Sequence, residues 1–318
     1  MWKQILRYNF VQWGKLADFL ELNSEQRAFI AQSPSFPLNL PLRLAQKIRK
    51  GTLKDPILQQ FLPTLHEEKD KMGFALDPVL DQSFRKSSKL LHKYCGRVLL
   101  VCTSACAMNC RFCFRQNFEY ETEEKGFSNE LELISQDESI REVILSGGDP
   151  LSLADHTLQD LLCKLDAIPH IHRIRFHTRF PIGIPERIDD NFLEVLKKIS
   201  KRIWFVIHVN HPMELDDAVW RHLELIQKMG ITILSQTVLL KNVNDDPDIL
   251  KDLWENLVDH GVMPYYLHQL DRVRGAAHFE VLEERGKEIM QKISGQISGY
   301  ALPKYVKEVP GELGKKVI

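Results

Sequence analysis

The 318-residue sequence lacks an excess of charge of either sign: 42 lysines and arginines stand against 43 aspartates and glutamates, a net charge of -1. Proteins that grip nucleic acid carry a basic face, so nucleic acid is not an expected partner. No apolar run approaches membrane-spanning length, and Lys3, Arg7 and Lys15 interrupt the apolar N-terminus. Neither a secretion signal nor a transmembrane helix is therefore expected, and no membrane partner. Low-complexity tracts and internal repeats are missing. Cysteine is scarce, with six in all, too few for the disulfide frameworks of small secreted domains. The expected setting is cytoplasmic, where thiols stay reduced. What is plentiful is apolar residue, 44% of the chain, ample for the core of one large α/β barrel.

Three of the cysteines stand together in Cys106-Ala107-Met108-Asn109-Cys110-Arg111-Phe112-Cys113. Thiolates with three and then two residues between them can converge on three irons of a 4Fe–4S cluster, leaving the fourth iron without a protein ligand. Cys102, four residues earlier, opens a second reading: a zinc site on Cys102, Cys106, Cys110 and Cys113. Structural zinc sites usually pair two Cys-x2-Cys knuckles, and only one is present. Cys95 and Cys163 read as small buried hydrophobes.

Residues 1–90 read as a helical region in short pieces. Asn23 with Gln26 marks a helix start, Pro41 suits a first turn and Gly51 suits the end of that helix. From Arg97 onward, apolar strands alternate with amphipathic helices. Strands are expected at Val98–Cys102, Val143–Leu145, Ile174–His177, Ile203–Val209, Thr232–Gln236 and Tyr265–His268. Leu158, Leu161, Leu162 and Leu165, behind a capping Asp155, and Phe192, Val195, Leu196 and Ile199 each mark one buried helical face. This alternation predicts a parallel sheet with right-handed crossovers, an incomplete TIM-type (β/α)6 barrel over residues 91–296. Residues 297–318 form a C-terminal tail. Barrels of this type place reactive groups at the C-terminal strand ends, and the cysteine loop follows the first strand directly. Ser146-Gly147-Gly148-Asp149 follows the second, where paired glycines permit close backbone approach or simply make a βα turn. His208 and Gln236 sit at later strand ends, where such residues are more often structural than ligand-binding.

The cysteine spacing, with an aromatic residue before the last cysteine, resembles the signature of the radical S-adenosylmethionine (SAM) enzymes, in which SAM chelates the open iron. Within that superfamily the chain resembles the lysine 2,3-aminomutases, which also use pyridoxal 5′-phosphate (PLP). The narrower match rests on His92-Lys93-Tyr94-Cys95-Gly96-Arg97, on Phe114-Arg115-Gln116, on Gln269-Leu270-Asp271 with Gly275 to Phe279, and on the tail from Glu308 to Ile318. The resemblance implies a radical SAM barrel with the cluster on Cys106, Cys110 and Cys113. It implies SAM contacts from Ser146, Gly147, Gly148, Asp149, His208 and Gln236. Lys93, Tyr94 and Arg97 would hold PLP, Arg115 the substrate carboxylate, and Asp271 with Glu308 its distal ammonium.

Taken alone, lysines so near a C-terminus are frayed and solvated. The resemblance makes Lys315 the catalytic lysine that joins PLP covalently, with Lys316 the adjacent candidate. The tail departs from the family pattern: Glu312 and Leu313 replace glycines, Glu308 replaces an aspartate, and the extension of the longer aminomutases is missing. It is most similar to the branch that serves elongation factor P β-lysylation. The implied activity is isomerisation of L-lysine to (R)-β-lysine. The implied partners are L-lysine, an external electron donor and an elongation factor P ligase acting on the product. Three other readings stay open: a free aminomutase of metabolism, a radical SAM enzyme acting on another amino acid, and a non-catalytic, zinc-stabilised α/β binding module.

Overall fold

Runs such as Val143-Ile144-Leu145 and Ile203-Trp204-Phe205-Val206-Ile207 are apolar on both strand faces, as parallel strands covered on both sides must be. In the computed structural model, which describes residues 1–121 and 126–318, these runs form the middle of a ten-stranded sheet. Its strands lie in sequence order: β1 Arg85–Ser87, β2 Leu90–Tyr94, β3 Arg97–Thr103, β4 Glu142–Gly147, β5 Arg173–Thr178, β6 Arg202–His208, β7 Thr232–Val238, β8 Met263–His268, β9 Lys304–Lys307 and β10 Lys316–Val317. β3 to β9 pair in parallel, while β1, β2 and β10 add antiparallel edges.

Five short helices precede the sheet: α1 Trp2–Ile5, α2 Trp13–Phe19, α3 Ser24–Arg27, α4 Leu42–Lys47 and α5 Pro56–Gln59. Then α6 Ser128–Gln136, α7 Asp155–Asp166, α8 Phe180–Gly183 with α9 Asp190–Lys197, α10 Asp217–Lys228, α11 Pro247–Asp259 and α12 Glu283–Ser294 follow β3 to β8 in turn. Six strand–helix units result, and β1 and β10 do not pair with each other. This is an incomplete (β/α)6 barrel.

Helix starts follow the sequence. Asp189, Asp216 and Asp246 each accept backbone N–H groups at the starts of α9, α10 and α11, satisfying donors that a first turn leaves unpaired. Asn23 and Gln26 form a reciprocal capping box on α3. Leu158, Leu161, Leu162 and Leu165 of α7 are fully buried, and Phe176, Phe192 and Phe205 pack where α9 meets the sheet. Leu16, Leu40, Leu44 and Phe61 belong to the same apolar cluster as the barrel, so the N-terminal helices share its core.

Several local expectations are corrected. Residues 85–90, expected within the helical region, instead form β1 and the start of β2, and Lys93 and Tyr94 lie on β2, one turn before the first parallel strand. Helix α4 ends at Lys47, and Gly51 is instead a left-handed turn residue with φ +69°. Asp155 does not cap α7; it lies in its first turn and pairs with the buried guanidinium of Arg187 at 2.8 Å. Cys95 and Cys163 are exposed, the first in the β2–β3 turn and the second off the leucine face of α7. The tail does not fray throughout, since β9 and β10 join the sheet.

Candidate active site

The C-terminal ends of β3 to β8 surround a cavity of about 540 Å³, within the range of small-molecule sites. Every site residue expected from the sequence lines it. The cysteine loop comes from the end of β3, Ser146 to Asp149 from β4, His208 from β6, Gln236 from β7 and Asp271 from beyond β8. Lys93, Tyr94 and Arg97 reach in from the hairpin, and Glu308 and Lys315 from the tail.

The cysteine loop is held from two sides. From the barrel, Gly148 N–H donates to Thr103 O at 2.6 Å and Asp149 N–H to Ala105 O at 2.8 Å. A Cβ on Gly148 would stand 2.4 Å from Ala105 O, so that glycine exists for contact with the cysteine loop itself. From the N-terminal region, Asn9 and Asn39 donate to Ala107 O and Cys106 O, and Arg111 donates to Phe36 O while pairing with Glu67. The N-terminal helices thus form the bed of the loop. Burial raises the thiol pKa values of all three cysteines, Cys113 to about 11. Thiolates here need a positive partner.

The Asp149 carboxylate is committed internally. It accepts from Thr178 Oγ1 at 2.8 Å and from the backbone N–H groups of Arg179, Phe180 and Leu151 at 2.7, 3.0 and 3.0 Å. It therefore pins the glycine turn to the end of β5, and Ser146 to Gly148 are the parts left to meet a ligand.

On the tail, Glu308 gathers cations. Lys315 Nζ lies 2.7 Å from one carboxylate oxygen and Lys93 Nζ 2.6 Å from the other, to which the Tyr94 hydroxyl also donates. Burial pushes the Glu308 carboxyl up, but Lys315, Lys93 and Tyr94 overcome it and hold it at about 2. Asp271 accepts no side-chain hydrogen bond among the described residues, and burial raises it to about 6 against the opposing charge of Lys315. Arg115 donates through Nε to Asp81 at 2.8 Å, and both residues line the cavity. Lys316, by contrast, is an exposed residue of β10.

Residues that sequence reasoning did not select complete the lining. Asp81 orients Arg115. His177 of β5 and His268 of β8 join His208, all three with an Nε2 buried and without a partner among the described residues. Burial lowers their pKa values, that of His208 to about 4, so the three rings are neutral at pH 7. The signal available was position, because each ends a strand as the expected residues do.

Residues 100–253 match the model of the radical SAM superfamily. The L-lysine 2,3-aminomutase of Escherichia coli is 39% identical over 306 residues, covering 95% of this chain and 89% of that protein. The chain belongs to the lysine 2,3-aminomutase family. Its counterpart in Haemophilus influenzae is also 39% identical, over 90% and 86% of the two chains. That of Clostridium subterminale is 31% identical over 99% of this chain and 76% of its own length.

Family membership brings a 4Fe–4S cluster, SAM and PLP as cofactors, and the residues present fit them. Three thiols converge from one loop, and the orphaned imidazole nitrogens call for polar partners inside the cavity. The zinc alternative loses its fourth ligand, since the buried Cys102 thiol points back to Leu100 O at 3.5 Å. Among the described residues no three His, Cys, Asp or Glu side chains are placed to hold a single metal ion. A cluster does not require that, because each cysteine binds a different iron. Among the described residues no helix is long and apolar enough to cross a membrane.

Proposed function

We propose that the protein moves the amino group of L-lysine from C2 to C3, giving (R)-β-lysine. The observation that carries this reading is the shared cavity, lined together by the three cysteines, Lys315, Asp271 and Glu308, in a chain of the aminomutase family. Bound there, cluster and SAM supply a carbon-centred radical and PLP an electron sink for the migrating nitrogen.

In this reading the chain's own residues orient and enclose. Cys106, Cys110 and Cys113 hold the cluster, and Ser146, Gly147, Gly148, His208 and Gln236 border SAM, with Asp149 fixing the turn. Lys93, Tyr94 and Arg97 hold PLP, two cations and an aromatic ring suited to a phosphate and a pyridine face, and Lys315 is its covalent anchor. Arg115, presented edge-on by Asp81, takes the substrate carboxylate in two hydrogen bonds. Asp271 and Glu308 take the distal ammonium. Two carboxylates and an arginine lining one cavity suit a diamino acid with cationic and anionic ends.

The sequence likeness to the elongation factor P branch makes that factor the proposed destination of the product, with an external electron donor and a ligase as partners. Anaerobic incubation with L-lysine, SAM, PLP and a reductant, followed by chromatography, tests the chemistry. (R)-β-lysine is the expected product, and unchanged lysine beside cleaved SAM would sink the reading. Gene deletion separates the destinations. Elongation factor P without its β-lysyl group supports the proposal, and an unaltered factor points to free metabolite.

A further inference from the structure

Arg179 follows the end of β5 and is buried, 7% exposed, behind the middle cysteine. Its backbone N–H is fixed by Asp149 at 2.7 Å. One terminal nitrogen, Nη1, donates to Cys110 Sγ at 2.8 Å, and the other, Nη2, donates to Gln60 Oε1 at 2.6 Å and Glu214 Oε2 at 2.8 Å. Those acceptors are themselves held: Gln60 Nε2 donates to Glu214 Oε1 at 3.0 Å, and Asn210 reaches Gln60 through its side chain and Glu214 through its backbone N–H. Gln60 and Glu214 are fully buried, and the rings of Phe61 and Phe112 lie 5.0 and 5.5 Å from the guanidinium carbon.

This arrangement is more than the packing of the loop requires. A buried Arg–Glu pair is costly to desolvate, and apolar side chains of similar volume often stabilise a fold as well or better. What apolar residues cannot do is present a fixed N–H and a positive charge to a thiolate. Among the described residues, Cys110 is the one of the three cysteines that accepts a guanidinium hydrogen bond. Hydrogen bonds and charge at a ligating sulfur favour the reduced, more negative cluster, and so raise its potential.

We infer that Arg179 is a positioning residue that sets the reduction potential of the cluster through Cys110, with Gln60 and Glu214 holding its guanidinium in register. The inference rests on the cluster assignment made under the proposed function. The step concerned is a one-electron reduction of the cluster by an external low-potential donor, without bond making or breaking. Gln60 lies just past α5, so the N-terminal helical region acts on the electronics of the cluster as well as its placement.

The test is a redox titration, followed by electron paramagnetic resonance, of the full chain reconstituted with iron and sulfide, alongside iron analysis. Arg179→Met is expected to keep its iron and to show a reduced-to-oxidised ratio about tenfold lower at a given potential, about 59 mV for one electron. Arg179→Lys, which keeps a charge without the fork, should fall between the two. If Arg179→Met does not hold a cluster, Gln60→Leu decides, because it keeps the cation and removes one anchor. A smaller shift in the same direction supports the inference. Iron-replete variants with the wild-type potential would overturn it alone, whereas wild-type protein that takes up no iron would overturn the functional reading beneath it.

Discussion

Lys315 Nζ stands 2.7 Å from Oε2 of Glu308, and the opposite oxygen of that carboxylate is 2.6 Å from Lys93 Nζ. One buried carboxylate thus ties the tail to the β2 edge of the sheet. Despite burial, the two lysines hold its pKa at about 2, below the usual 4.5. A depressed carboxyl stabilises the fold fully above its unfolded value and ceases to do so as pH falls through its folded value. Glu308→Gln is therefore expected to cost the ligand-free protein about 2 kcal/mol or more at pH 7. Urea unfolding of both proteins at pH 7 and pH 3 checks this: the gap should narrow at the lower pH, and an equal gap would count against the account.

Asp271 carries the opposite sign. Burial raises its carboxyl from 3.8 to about 6, so the charged form weakens the empty protein above about pH 6 and the effect vanishes below about pH 4. Asp271→Asn should stabilise ligand-free protein at pH 7.5 by about 1 kcal/mol, discounted for solvent in the cavity, raising Tm by about 1–2 °C. Lysine turnover should be lost in the same variant. Calorimetry at pH 7.5 and pH 4.5 measures the gain and its decline, and a lower Tm at pH 7.5 would contradict it.

Gly148 meets the cysteine loop so closely that a methyl group would stand 2.4 Å from Ala105 O. Gly148→Ala is expected to cost about 1–3 kcal/mol through overpacking and to lower iron uptake. Its tight contact is with backbone, which cannot rotate aside. Iron analysis after reconstitution tests it, and full occupancy would place the glycine's role elsewhere.

The sequence made the barrel legible because central strands such as β4 and β6 are apolar on both faces and the helices between strands carry one-sided patterns. It made the cysteine triad legible because spacing within one loop survives without knowledge of the fold. The edges were less readable. β2 is a five-residue strand containing His92 and Lys93, and β10 has only two residues, too short for any period to emerge. Asp81, Gln60 and Glu214 were not legible, since each acts on a partner 34 to 154 positions away and no local pattern announces that. The paired glycines were legible as a close approach, but what approaches Gly148 most closely is the chain's own cysteine loop.

Arg111, between the second and third cysteines, is 1% exposed and pairs with Glu67 while donating to Phe36 O. Removing one member of a buried pair strands the other charge. Arg111→Ala should destabilise the protein by about 3–5 kcal/mol and loosen the loop. Denaturant unfolding with and without iron checks this, and a loss under about 1 kcal/mol would show that the N-terminal bed is not held by that pair.

The most direct test of the central account is cofactor analysis of protein purified without oxygen and supplied with iron, sulfide and PLP. Iron and sulfide are counted, and PLP is fixed with borohydride and located by peptide mapping. The account predicts about four irons and four sulfides per chain, lost when Cys106, Cys110 and Cys113 are replaced, with PLP on Lys315. Zinc in place of iron, or PLP fixed to Lys316 or to no lysine, would contradict it.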